Sequence, residues 1–202
     1  MHSIVALLVA LALAQPASPS AGRRVAISPE LGRALAARLA QVEARWRAGQ
    51  PQASSPLRVE EAGLNSWLSY EVRMPPSLSD VEVRLERDRI AAEGWLDLDQ
   101  IQDRMPRQDA MVSGLLALVS GKVRVVLRGR LVNDDEAGFG SLELEEVNLG
   151  PVPVSPAAIA PIVASATRTP SRPGGFDILA PFRYPYGVKR VRLRAGHALL
   201  DF

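Results

Sequence analysis

The sequence predicts an α+β domain: a curved antiparallel sheet packed on, or wrapped around, a long apolar helix, with amphipathic helices ahead of it. Three observations lead there. Apolar residues recur with period two over Val81 to Leu98 and again from Val123 to Leu149, the mark of half-buried strands. Helical stripes at spacings of three and four occur at Leu31 to Trp46, Leu64 to Leu68 and Ile159 to Ala166. Their order is two helices, a hairpin, an apolar helix, a longer hairpin, another helix and a last hairpin, which favours antiparallel pairing over parallel βαβ units.

The chain of 202 residues opens with an unbroken apolar run, Ile4 to Ala14, ending in the small-x-small pattern Ala12-Leu13-Ala14. Such a run rises only about 16 Å as a helix, short of the about 30 Å of a bilayer core. The expectation is a cleavable signal peptide over 1–14, cut after Ala14, then a flexible Pro/Ser/Ala/Gly leader over 15–27 and a single domain over 28–202. The protein is therefore expected in the periplasm or secreted. The chain contains no cysteine, so an exported domain of this kind relies on its core in place of disulfides, which suits a bacterial envelope.

Ser28 followed by Pro29 supplies an N-cap and a first helical residue, and Leu31, Leu35, Leu39, Val42 and Trp46 then form one stripe. Arg33, Arg38, Arg45 and Arg47 lie off it, so helix 28–48 either packs on the body with a solvated basic face or makes peripheral contact with an anionic membrane. After a Pro/Ser/Gln linker, Val59 to Leu68 reads as a short second helix with Leu64, Trp67 and Leu68 on one side and Glu60 and Glu61 in its first turn. Val81, Val83 and Leu85, then Ile90, Ala92, Gly94, Leu96 and Leu98, make the first hairpin's apolar face around an Arg87-Asp88 turn. Asp99 to Gln108 is polar connection, and Asp109 caps a helix over 110–120 that is apolar nearly all round. Val123, Val125, Leu127, Gly129 and Leu131 open the second hairpin, with a polar tip at Asn133 to Gly138 and a return from Phe139 to Leu149. Ser155-Pro156 starts a third helix, bent or begun late at Pro161. Thr169 to Gly175 is a loop, and Val188, Val191 and Leu193 pair with Ala198 to Phe202 across the Ala195-Gly196 turn.

Net charge is +2, and Lys122 and Lys189 are the only lysines beside many arginines. Acidic and basic residues alternate along the strands, leaving no cationic stripe to follow phosphates, so nucleic acid is not expected as a partner. Chemistry is sparse. Beyond His2 the only histidine is His197, in a turn, and no Gly-x-Ser-x-Gly elbow accompanies it; zinc lacks ligands. The pairs Asp97/Asp99, Glu143/Glu145 and Glu60/Glu61 would suit a glycosidase, yet each has a structural explanation as solvent-facing strand charge or helix-start charge. The acidic tip at 133–138 lacks the spacing of a calcium loop. Hence no catalytic residue, metal or cofactor is expected. What remains is apolar surface, which can form an ordinary core or enclose an apolar ligand.

At Val59-Glu60-Glu61-Ala62-Gly63-Leu64-Asn65-Ser66-Trp67-Leu68 the chain resembles the T-x-E-E-L-N-x-x-L opening helix of exported bacterial YpmS-like and LmeA-like proteins, related to the TULIP (tubular lipid-binding) superfamily. Gly63 stands where those proteins usually have Glu. Pro185-Tyr186-Gly187-Val188-Lys189-Arg190-Val191 is similar to their closing Pro-x-Gly-Val-x-x-Val strand. The resemblance covers 57–202 and implies a sheet wrapped on a helix with an acyl-chain groove between them, and no catalytic residue carries over. The leading expectation is thus a non-enzymatic periplasmic carrier of lipid or another long apolar molecule, walled by Val83, Leu85, Leu96, Val125, Leu127, Leu144, Val191 and Leu193, with Trp67 and Trp95 near the mouth. The alternative is a cell-envelope interaction scaffold without a ligand cavity, engaging a partner through the first helix or a strand edge.

Overall fold

The structure, a computed structural model, describes residues 26–102, 121–134, 138–168 and 172–202. The expected signal peptide over 1–14, nearly all of the leader and the apolar helix at 110–120 lie outside the described residues. Within them the chain is α+β and antiparallel throughout. Helix α1 (Pro29–Arg47) precedes strand β1 (Leu57–Glu60) and helix α2 (Glu61–Tyr70). Strands β2 (Leu78–Leu85) and β3 (Arg89–Asp97), the short helix α3 (Leu98–Gln102), and strands β4 (Lys122–Asn133), β5 (Phe139–Leu149) and β6 (Val152–Pro153) follow. Helix α4 (Pro156–Ala166) and strands β7 (Phe182–Arg183), β8 (Arg190–Arg194) and β9 (His197–Asp201) complete it.

Two sheets form. Strands β2-β3-β4-β5-β6 make the larger, with β7 pairing to β5, and β1-β9-β8 make the smaller. Period-two patterning sets the register of the large sheet: Ile90 opposes Gly129, Ala92 opposes Leu127, Gly94 opposes Val125 and Leu96 opposes Val123, all on the inner face. That face joins α4's Ile159, Ile162 and Val163 and the loop residues Phe176 and Ile178 in one buried cluster. The outer face carries cross-strand ion pairs, Arg124 with Glu93 and Arg89 with Glu145 among them. Glu145 is the extra residue of a bulge in β5, where Arg128 opposes Glu146 but Gly129 opposes Leu144, and a second bulge sits at Asp80 and Val81 opposite Gly94. Bulges bend and twist their strands locally.

Helix starts follow their caps. Ser28 Oγ accepts from the Leu31 N–H at 3.3 Å, and Ser155 Oγ accepts from the Ala158 N–H at 3.3 Å. Pro161 sits inside α4 and cannot donate to the carbonyl one turn back. Of α1's stripe, Leu35 and Leu39 are buried, whereas Leu31 and Trp46 at its ends are exposed, and Gly32 and Glu43 are buried beside the two leucines. At Gly32 the helix lies so close to α2 that a Cβ would come within 2.9 Å of the Ser66 carbonyl oxygen.

Two expectations are corrected. Val59 and Glu60 are not helical: they belong to β1, with Val59 paired to Ala198 and Glu60 to His197, and α2 begins at Glu61. Leu57 and Val59 alternate with Arg58 and Glu60, and a pairing partner far downstream captures that short alternation as strand. The polar connection after the first hairpin begins instead as α3, where Asp97 accepts from the Gln100 N–H at 3.2 Å and Ile101 is buried.

The Glu61-x-x-x-Asn65 spacing explains the most distinctive stretch of the sequence. Both side chains project from one face of α2 onto the free edge of β2. Asn65 accepts from the Val83 N–H at 2.6 Å and donates to the Val83 carbonyl at 2.7 Å. Glu61 accepts from the Leu85 N–H at 2.6 Å. Together they give an edge strand the partners that another strand would have supplied.

Burial holds the Glu61 carboxyl above its ordinary value of 4.5, outweighing the Leu85 hydrogen bond. The folded state therefore binds this proton more tightly than the unfolded chain does. Its contribution to stability is full below pH 4.5 and is lost as pH rises through the raised folded value. Urea midpoints of wild type and Glu61→Gln compared across that range should diverge, the variant being the less pH-dependent; parallel curves would contradict this assignment.

Candidate functional site

The small sheet presents two apolar cross-strand rows on one face, Leu57-Leu200-Val191 and Val59-Ala198-Leu193. Alternation along β1, β9 and β8 produces them, and sends Arg58, Leu199 and Arg192 to the other side. Helix α1 lies across the rows with Leu35, Leu39 and Val42, and Leu64 of α2, Leu85 of β2 and Leu131 of β4 close the flank. The remaining wall is the segment 182–188, contributing Phe182, Tyr184, Pro185, Tyr186 and Val188. They enclose an apolar cavity of about 80 Å³.

Hydrogen bonds fix that last wall. Asn133, at the end of β4, accepts from the Val191 N–H at 2.8 Å and donates to the Val191 carbonyl at 2.9 Å, joining the two sheets. The Tyr184 hydroxyl donates to the same Asn133 oxygen at 3.0 Å. It passes over Gly140, where a Cβ would fall 2.1 Å from it, so only glycine leaves the phenol its path. Burial pushes the Tyr184 phenol up to about 12.

Tyr186 adopts a left-handed φ of 58°, a conformation that costs a bulky side chain energy and is held only by its surroundings. Its ring meets Trp46 of α1 edge-on, with centroids 5.8 Å apart, and its hydroxyl hydrogen-bonds to the buried Glu43. Glu43 in turn pairs with Arg47 at 2.5 Å. Burial, with the Glu43 charge adding to it, raises the Tyr186 phenol. These contacts tie the C-terminal half of α1 to the 182–188 wall.

Outside this junction lies an open groove of about 680 Å³, sharing Phe182, Tyr184, Pro185, Tyr186 and Val188 with the inner cavity. Trp46, Phe176, Arg172, Asp177, Arg183 and Lys189 are among the rest of its lining.

Of the wall expected from the sequence, Leu85, Val191 and Leu193 line the inner cavity. Val83, Leu96, Val125 and Leu127 are buried in the core, and Leu144 packs partly buried against it. Trp67 is also buried in the core, and Trp95 is exposed on the charged face beneath Lys122. Sequence reasoning missed the 182–188 wall, although Phe182, Tyr184, Tyr186 and Val188 recur with period two and mark one apolar side. Asp97 and Asp99 serve helix and loop starts, accepting from the Gln100 and Gly121 N–H groups, and Glu145 pairs with arginines.

Among the described residues no group of His, Asp or Glu is placed to hold a metal ion, and no helix is long and apolar enough to cross a membrane. No family model, curated protein or solved structure matches the chain.

Proposed function

We propose that the protein is a non-enzymatic binder and carrier of lipid or another long apolar molecule, acting in the periplasm or outside the cell. The observation that carries this reading is the cavity between α1 and the small sheet, walled by aliphatic and aromatic side chains from seven separate elements and the 182–188 segment. Apolar ligands need such a wall and few polar groups. The resemblance to lipid-binding envelope proteins belongs to the same proposal, as does the finer expectation of a sheet curved around an apolar helix.

At about 80 Å³ the cavity is smaller than the roughly 300–1,000 Å³ of ordinary ligand pockets. Loading a chain therefore requires α1 to lift. No strand pairing holds α1, whose grip rests on the buried Leu35 and Leu39, the Gly32–Ser66 approach, the Ser28 N–H donated to Ser66 Oγ, and the Glu43–Tyr186 and Trp46–Tyr186 contacts. Native mass spectrometry of the purified protein, with organic extraction and titration of a fluorescent acyl chain, tests the reading. Absence of both a co-purifying lipid and saturable binding overturns it.

Filling the cavity should separate binding from folding. Ala198 is buried at the centre of the second apolar row, so Ala198→Leu places a branched side chain in the space. Acyl-chain affinity is expected to fall about tenfold while stability shifts by no more than about 1 kcal/mol.

The exposed Leu31 and Trp46 on α1 favour a second reading, in which this helix docks a partner in the cell envelope. Leu31→Ser then abolishes partner recovery and leaves acyl-chain binding unchanged.

A further inference from the structure

We infer that the open groove outside the Trp46–Tyr186 contact seats the head of the ligand, and that this ligand is a single-chain amphiphile with a carboxylate or similar anionic head. The inference rests on the proposed apolar site behind the groove. Segment 182–189 is a two-sided wall. Phe182, Tyr184, Tyr186 and Val188 line both spaces, while the exposed Arg183 and Lys189 line the groove alone. One molecule passing the junction thus meets hydrocarbon on one side and positive charge on the other.

Positive charge predominates in the groove. Among the described residues its lining holds Arg172, Arg183 and Lys189 and one acid, Asp177, whose carboxylate already accepts from the Leu179 N–H at 3.0 Å. Most arginines on the strands are matched to carboxylates, but among the described residues neither Arg183 nor Lys189 enters an ion pair. Aromatic faces hold both guanidiniums: Arg183 lies 6.0 Å from the Phe139 centroid and Arg172 lies 5.5 Å from that of Phe176. Steadied on the Phe139 ring, the Arg183 guanidinium keeps its planar fork for an in-plane oxyanion. A neutral hydrocarbon would draw nothing from this arrangement, whereas a carboxylate on a chain uses both halves. Tyr186, strained and shared by both spaces, is the residue that the chain must pass.

Calorimetric titration of the full chain with decanoate, decanol and acetate tests this. Decanoate is expected to bind about tenfold more tightly than decanol, the scale of one charge-assisted contact in an open site. Arg183→Ser combined with Lys189→Ser should erase that difference and leave decanol affinity unchanged, with the urea midpoint confirming an intact fold. Acetate should fail to compete at concentrations where decanoate saturates. Equal binding of decanol and decanoate to the wild type overturns the head seat and leaves the apolar cavity standing. Binding of neither amphiphile overturns the cavity reading as well. Acetate competing as well as decanoate reduces the groove to a small-anion site and overturns the amphiphile.

Discussion

Asn65→Ala should lower the unfolding free energy by about 4 kcal/mol, because it strips two buried backbone groups of their partners at once. Asn65 is 2 % exposed, and its amide both donates to and accepts from Val83 while also donating to the Glu61 carbonyl at 3.1 Å. Alanine leaves the Val83 N–H and carbonyl in the interior with nothing to bond, and each such group costs about 1–3 kcal/mol. It also leaves a small void between α2 and β2. Ser69→Ala, on the exposed side of the same helix, should change stability by less than about 0.5 kcal/mol. Urea denaturation of the three proteins measures this, and a loss below about 1 kcal/mol for Asn65→Ala would show that water or β2 itself satisfies Val83.

Gly175→Ala is expected to cost about 3 kcal/mol or more and to weaken ligand binding with it. Gly175 has a φ of 74°, and an added Cβ would fall 1.7 Å from the Ala164 carbonyl oxygen. The left-handed backbone alone costs a non-glycine residue about 1–2 kcal/mol, and relieving the overlap must push the loop off α4. That loop is fastened there by Thr167, whose hydroxyl accepts from the Phe176 N–H at 2.8 Å and donates to the Val163 carbonyl at 2.7 Å. Phe176 packs on Phe182, with centroids 5.8 Å apart, so displacement reaches the shared wall of cavity and groove. Gly174 provides the contrast: its Cβ would meet nothing within 4 Å, so Gly174→Ala should be near neutral. Equal midpoints for the two variants would contradict the packing argument.

The parts of the fold legible in the sequence are those whose partners lie nearby. Val81 to Leu98 and Val123 to Leu149 announce themselves because each hairpin pairs with itself and buries one face, so period two survives intact in the residues. Ser28-Pro29 and Ser155-Pro156 fix helix starts through local hydrogen bonds. β1 was not legible as strand: four residues against an adjacent helix carry too little pattern, and their partner is β9. The site divides the same way. Alternation marks Leu85, Val191 and Leu193 as apolar-faced, but it marks Val83, Leu96, Val125 and Leu127 in the same way and does not distinguish the two sheets. Tyr184 and Tyr186 escaped because prolines and a left-handed turn interrupt any regular element there.

The pairing of β1 with β9 also sets a timetable for the newly made chain. The apolar rows that wall the cavity need residues 57–60 and 197–201 side by side, with Gly196 donating to the Leu85 carbonyl and accepting from the Glu61 N–H. Ribosomes add residues one by one from the other end, so one row waits for Ala198 and the other for Leu200. Closing so long a loop is slow compared with forming the hairpins. A polypeptide built this way stays incompletely folded until β9 has been made, with the apolar rows of β1 and β8 uncovered until then.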